Sequence, residues 1–170
     1  QFERERPSFT DQAIGTTITL GQRFAGNTNA RIGYTFRDHL GARSAAIDAG
    51  ADDYVEGRAF FDVRIDTRDN PVLPQRGGAV VVGWDVVDDG LGASADFHRL
   101  RIDANWLIRL TRSTKLALRT AHGWIWPGSA VPIQERWFNG GEDTVRSFRE
   151  DRIGPTDAAG RSIGGEARML

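Results

Sequence analysis

The residues best placed to do chemistry lie in one stretch, Arg136-Trp-Phe-Asn-Gly-Gly-Glu-Asp-Thr-Val-Arg-Ser-Phe-Arg-Glu-Asp-Arg-Ile-Gly-Pro155. The chemistry on offer is that of a guanidinium, not of a nucleophile. Arg146 sits between Val145 and Ser147-Phe148. Its planar fork of donors matches a carboxylate in a bidentate way that lysine cannot. Phe138, Gly140 and Gly141 precede it, and Ile153, Gly154 and Pro155 follow. A loop this long and glycine-punctuated is usually functional. Two readings stand side by side. In one, the loop is solvated and its arginine incidental. In the other, the loop delivers a guanidinium into an enclosed site, where it needs carboxylates. Glu142, Asp143, Glu150 and Asp151 are the local acids, expected to be solvated rather than paired.

Other chemistries find little support. The chain has 170 residues, no cysteine and a net charge of −1. Thiol catalysis, disulfides and cysteine-ligated metals are therefore excluded. Neither the charge nor its spread argues for nucleic acid. His39, His98 and His122 lack ligand spacing, so no metal site is expected. Asp52-Asp53 and Asp88-Asp89 lie in loops without an EF-hand pattern. Gly-x-Ser-x-Gly, Walker A and dinucleotide fingerprints are absent, and no enzyme activity or cofactor is expected. The start at Gln1-Phe-Glu-Arg reads as a processed chain or an excised fragment.

The elements that must position the loop are strands. Period-2 alternation dominates, and helical periodicity is nearly absent. Seven strands are expected: Gly15–Phe24, Ala30–Arg37, Arg58–Thr67, Gly78–Val87, Phe97–Leu110, Thr114–Trp126 and one beginning at Gly164. Residues 1–9 read as the tail of an earlier strand. In the fifth, Leu100, Ile102, Ala104, Trp106, Ile108 and Leu110 share one face, and Arg99, Arg101, Asp103, Asn105 and Arg109 the other, with Leu107 the exception.

Connections alternate in length. Ala25–Asn29, Arg68–Gly77 and Thr111–Ser113 are short; Asp38–Gly57, Asp88–Asp96 and Pro127–Ile163 are longer and rich in Asp and Gly. Short turns at one end and long loops at the other suit an outer-membrane barrel, with the short turns periplasmic. A soluble sandwich produces the same alternation. Strand length and the tryptophans Trp124 and Trp126 at the loop end of the sixth strand favour the barrel. Arg64, Asp66, Arg101, Asp103 and Arg119 are then lumen-facing and expected to form cross-strand ion pairs; Arg109 faces the same way. The segment Asp66-Thr-Arg-Asp-Asn-Pro-Val-Leu-Pro-Gln-Arg-Gly-Gly78 reads as a rigid turn, initiated at Asn70-Pro71, stiffened by Pro74 and reversed at Gly77.

Two of these segments resemble signatures of the outer-membrane protein assembly superfamily of BamA/TamA type. The Arg146 loop is similar to its Val-Arg-Gly-Phe/Tyr loop, with Ser147 in place of the usual Gly. The turn with Asp66, Arg68, Asn70, Pro71, Pro74 and Gly77 is similar to one of its periplasmic turns. The resemblance covers about residues 57–168; residues 1–56 fit by pattern alone. It implies an all-β, antiparallel transmembrane barrel fragment, about seven strands of a sixteen-stranded barrel, without a POTRA domain in this chain. Residues 1–170 form one partial barrel domain, with the loop at 127–163. The implied function is insertion of β-barrel proteins into the outer membrane of a Gram-negative-type envelope, or translocation across it. The implied partners are outer-membrane lipid, unfolded β-barrel or secreted proteins, periplasmic chaperones and accessory lipoproteins. The resemblance also implies that the loop tip enters the barrel and that its arginine pairs with acids on later strands, here beyond Leu170. Alternatives are a two-partner secretion transporter, a barrel fused to a lipolytic enzyme, a passive porin and an ordinary soluble β protein.

Overall fold

The computed structural model describes residues 2–5, 10–24, 26–40, 53–70, 72–142, 144–149, 151–158, 160 and 162–169. Pro71, Asp143, Glu150 and all of residues 41–52, Asp52 among them, lie outside the described residues. The chain forms one antiparallel sheet of eight strands in sequence order. They are β1 (Phe2–Glu5), β2 (Thr10–Phe24), β3 (Thr28–His39) and β4 (Tyr54–Asp66), followed by β5 (Gly77–Val87), β6 (Phe97–Arg109), β7 (Lys115–Pro127) and β8 (Ala167–Met169). The earlier strand anticipated within residues 1–9 is β1, which makes the count eight rather than seven.

β2 to β7 run for 11 to 15 residues each. At roughly 3.3 Å per residue even the shortest exceeds a hydrocarbon band about 25 Å tall. No helix among the described residues is long and apolar enough to cross a membrane.

Register keeps the faces pure from strand to strand. Leu20, Ile32, Phe61, Trp84, Leu100 and Trp124 are successive cross-strand neighbours and form one apolar row. Leu20, Ile32, Phe61, Trp84 and Trp124 are all exposed. Trp84 stacks on Trp126 with ring centroids 5.5 Å apart, both on this face near the end that carries the long loops. A neighbouring row on the opposite face runs Gly21, Arg31, Asp62, Gly83, Arg101, Gly123 and Arg168. One sheet thus exposes large aliphatic and aromatic side chains and gathers its charges on the other side. A single-residue slip would exchange the two faces, so the register is strongly specified.

The buried core lies against the polar face. Tyr54, Val87, Ala95, Phe97, Ile125 and Val131 form its main cluster, with Ala93 and Trp137 packed against it. Val131 and Trp137 belong to the segment between β7 and β8. The core therefore exists because that segment folds back over the sheet.

Candidate functional site

The site is built where the β7–β8 segment lands on the sheet. A short 3-10 turn, Ile133–Glu135, lies buried there. Glu135 is 7% exposed. Its Oε2 accepts from Arg58 Nη2 of β4 at 2.8 Å and from Arg99 Nη1 of β6 at 2.7 Å. The Tyr54 hydroxyl of β4 donates to its Oε1. Burial opposes the negative charge, but Arg58 and then Arg99 outweigh it and hold the carboxyl well below the usual range.

The strands extend this network. Arg58 also pairs with fully buried Glu56. Glu56 Oε2 meets His39 Nε2 at 3.1 Å and Arg37 Nη1 at 3.6 Å. His39 stacks on Tyr54 with centroids 4.4 Å apart. Arg99 Nη2 reaches Asp85 Oδ2 at 2.6 Å. Ligand atoms of His39, Glu56 and Glu135 come within 4.8 Å of one another. Sequence spacing gave no hint of that convergence. Arg58 bridges the two carboxylates, so a guanidinium already pairs with both.

Above its base the segment is a closed finger. Trp137 and Gly165 exchange backbone hydrogen bonds, each at 2.8 Å. Ile153 N donates to Asn139 O at 2.9 Å, and Arg136 reaches the carbonyls of Val131 and Ile163. The Trp137 ring lies over Gly123, where an added Cβ would meet the ring at 2.5 Å. Arg99 and Arg168 guanidiniums stand 5.8 and 5.4 Å from that ring. Phe138 is buried against Ile133.

The tip turns on Gly140 and Gly141, at φ 112° and 88°. A side chain at Gly140 would strike the Arg149 carbonyl, so both conformation and space call for glycine. Gly141 N donates to Phe148 O and Phe148 N to Val145 O, each at 3.0 Å. Val145 is half-buried; Arg146, Ser147, Phe148, Gly154 and Pro155 are exposed. The Arg146 Nε donates to the Glu142 carbonyl at 3.5 Å, a contact with a neutral acceptor. Ser147 is not among the described non-glycine residues with positive φ, which are Asn27 and Asp151. Of the local acids expected in solvent, Glu142 is exposed, but Asp151 is 4% exposed.

The turn after β4 is tightly built. Arg68 and Arg64 both pair with Asp66. Asp69 Oδ1 accepts from the backbone N–H of Gln75 at 2.9 Å and of Arg76 at 3.2 Å. These bonds, Gln75 first, hold the Asp69 carboxyl below its ordinary value. Asn70 Oδ1 accepts from Val72 N and Leu73 N. Gly77 has φ 93°, and a Cβ there would run into the Thr67 carbonyl. In the other long connection, Asp88 Oδ1 accepts from Gly90 N at 2.8 Å, an ordinary cap.

Arg64, Arg101, Asp103, Arg109 and Arg119 share the polar face, as the register places them. The ion pairs differ from simple neighbour pairing. Arg64 pairs along its own strand with Asp66 at 2.9 Å. Arg101 reaches past β5 to Asp62 at 3.1 Å. Asp103 lies 3.6 Å from Arg168 and 4.0 Å from Arg101. Arg109 donates to the carbonyls of Thr111 and Arg112.

An Omp85 superfamily domain matches residues 1–170, the whole chain. The chain belongs to the Omp85 superfamily. Its sheet is therefore a fragment of an antiparallel barrel of that superfamily, as the two signature segments implied. Membership carries a function at family level, insertion of proteins into the outer membrane or translocation across it, on protein substrates, in Gram-negative-type envelopes. No curated protein matches the chain.

Sequence reading singled out the Arg146 tip and missed the base that holds it. Glu135 was in view, one residue ahead of Arg136-Trp-Phe, but nothing in its spacing distinguishes it from a solvated loop acid.

Proposed function

We propose that residues 1–170 are part of the barrel wall of a BamA/TamA-type factor that inserts β-barrel proteins into the outer membrane, and that the β7–β8 loop carries its working residue, Arg146. In this reading the apolar face meets lipid and the charged face lines the lumen. The long connections are extracellular, and the turn at Asp66, Arg68, Asn70, Pro71, Pro74 and Gly77 is periplasmic. The substrates are unfolded β-barrel proteins, with periplasmic chaperones and accessory lipoproteins as partners.

The observation that carries this reading is the direction of the loop. It folds back over the charged face of the sheet, seated by buried Glu135 and by Val131 and Trp137 in the core cluster. A loop with no role inside the barrel has no reason to bury a carboxylate there, since the desolvation must be offset by several donors. A tip carried by such a base stands over the lumen, where an exposed guanidinium can meet carboxylates of the remaining wall.

The test is Arg146→Ala in the full-length protein. Outer-membrane protein assembly should fall while heat-modifiability, which reports barrel folding, stays normal. Arg146→Lys should recover little, because lysine lacks the planar fork. Assembly at the wild-type rate in Arg146→Ala would remove the loop from the mechanism.

A further inference from the structure

We infer that Glu135 is the positioning residue of the loop, a latch that holds its base on the barrel wall and so fixes where the tip stands. This deepens the reading of the loop given above and rests on it for the tip's role, but the latch itself can be tested separately.

Three observations carry it. One loop carboxylate collects donors from three wall side chains, Tyr54 and Arg58 of β4 and Arg99 of β6. Those strands are not neighbours, because β5 lies between them. A single anchor thus spans three strands of wall. The wall groups are themselves prearranged, Arg58 by Glu56 and Arg99 by Asp85. Their side chains are 16% and 11% exposed, so a solvated acid elsewhere could not substitute at equal strength.

The path from latch to tip is short and stiff. Two residues beyond Glu135, Trp137 is bridged to Gly165; two further, Asn139 is bridged to Ile153; then Gly141 closes on Phe148. Each rung fixes the next, and Arg146 lies within the last turn. Release of Glu135 therefore frees a pre-folded finger rather than an unstructured loop. That is how a residue far from Arg146 sets its position.

The experiment uses the thiol-free background of these residues, which contain no cysteine. Val87 is fully buried in the cluster beneath the loop. In the full-length protein, stripped of any other thiols and carrying Val87→Cys, a water-soluble maleimide reads whether the base is seated. Glu135→Gln keeps the size of the side chain and removes its charge. It should raise the labelling rate roughly tenfold or more, with a loss of assembly activity and unchanged heat-modifiability. Tyr54→Phe removes one donor and should raise labelling by a smaller factor; it decides the matter alone if Glu135→Gln does not fold. Labelling at the unsubstituted rate in both variants overturns the latch. Faster labelling with full assembly activity overturns its positioning role. The labelling makes no use of Arg146, so normal activity in Arg146→Ala would remove the reading of the tip and leave the latch standing.

Discussion

Gly123→Ala puts the seating of the loop under direct strain. A Cβ at this position would lie 2.5 Å from the Trp137 ring, against an ordinary carbon–carbon contact of about 3.5–4.0 Å. The ring must therefore retreat by about 1 Å. It has little freedom to do so, since the Trp137 backbone is bonded both ways to Gly165. Retreat also draws it from Arg168 and Arg99, whose contacts with the ring contribute about 0.5–2 kcal/mol each. Overpacking of this kind costs about 1–3 kcal/mol. Gly123 stays within β7 whether or not the loop is seated, so the lower unfolded-chain entropy of alanine does not offset this cost. Over the lower part of that range, about 1–2 kcal/mol, the undocked population of the loop rises some fivefold to thirtyfold. Limited proteolysis of the folded full-length protein should cut faster between Gly128 and Glu166, with the strands still protected. Trp137→Leu should relieve the clash, so that the double variant is less impaired than the sum of the singles. Wild-type protection in Gly123→Ala, or strict additivity in the double variant, would refute the packing argument.

Further expectations concern faces, pH and the tip. Cysteines at 100, 102 and 106 should react with lipid-phase reagents and those at 101, 103 and 109 with aqueous ones; the reverse pattern inverts the assignment. Protease added to intact cells should cleave an epitope tag placed in Asp88–Asp96 but not one in Asn70–Gly77. Glu135 titrates below its ordinary value in the folded state, so its contribution is present above the unfolded value of about 4.3 and is lost as pH falls toward the depressed folded value. Val87→Cys labelling, taken relative to an exposed cysteine at the same pH so that the falling thiolate fraction cancels, should accordingly stay constant down to about pH 5 and rise at lower pH. Ser147→Gly should be nearly neutral in assembly, because Ser147 already occupies an ordinary backbone region.

Alternation made most of the sheet legible. Gly78–Val87 and Phe97–Leu110 fall within a residue of β5 and β6, because each carries an uninterrupted apolar stripe. Expectation stopped short on β3 and β4. Asp38 and His39 continue β3, and Tyr54 to Gly57 begin β4, where the sequence reads as a polar loop. The reason is physical. Alternation identifies an apolar face, whereas at this end the charged face is the buried one, covered by the loop. Glu56, His39 and Glu135 therefore look like solvent-facing residues until strand pairing brings them together. The Arg146 loop was legible through its glycines and flanks. Its anchor was not, because the partners lie 77 and 36 residues away in sequence. The final strand also begins later than expected, at Ala167, since Gly164 and Gly165 still belong to the finger, Gly165 through its bridge to Trp137.

Asp62 has a consequence for the order in which the wall can form. One of its oxygens binds Arg31 of β3 at 2.8 Å and the other Arg101 of β6 at 3.1 Å, across the bare backbone of Gly83. The β3–β4 hairpin alone leaves Arg101 waiting, and the β5–β6 hairpin alone leaves it without an acid from β4. Both oxygens of Asp62 are paired only when four consecutive strands stand side by side. Arriving singly at a membrane, β3, β4 and β6 would each carry one of these ions into an apolar surrounding without its cross-strand partner. The glycine gap thus favours entry of this part of the wall as a preassembled block of four strands, with Asp62 already paired on both sides.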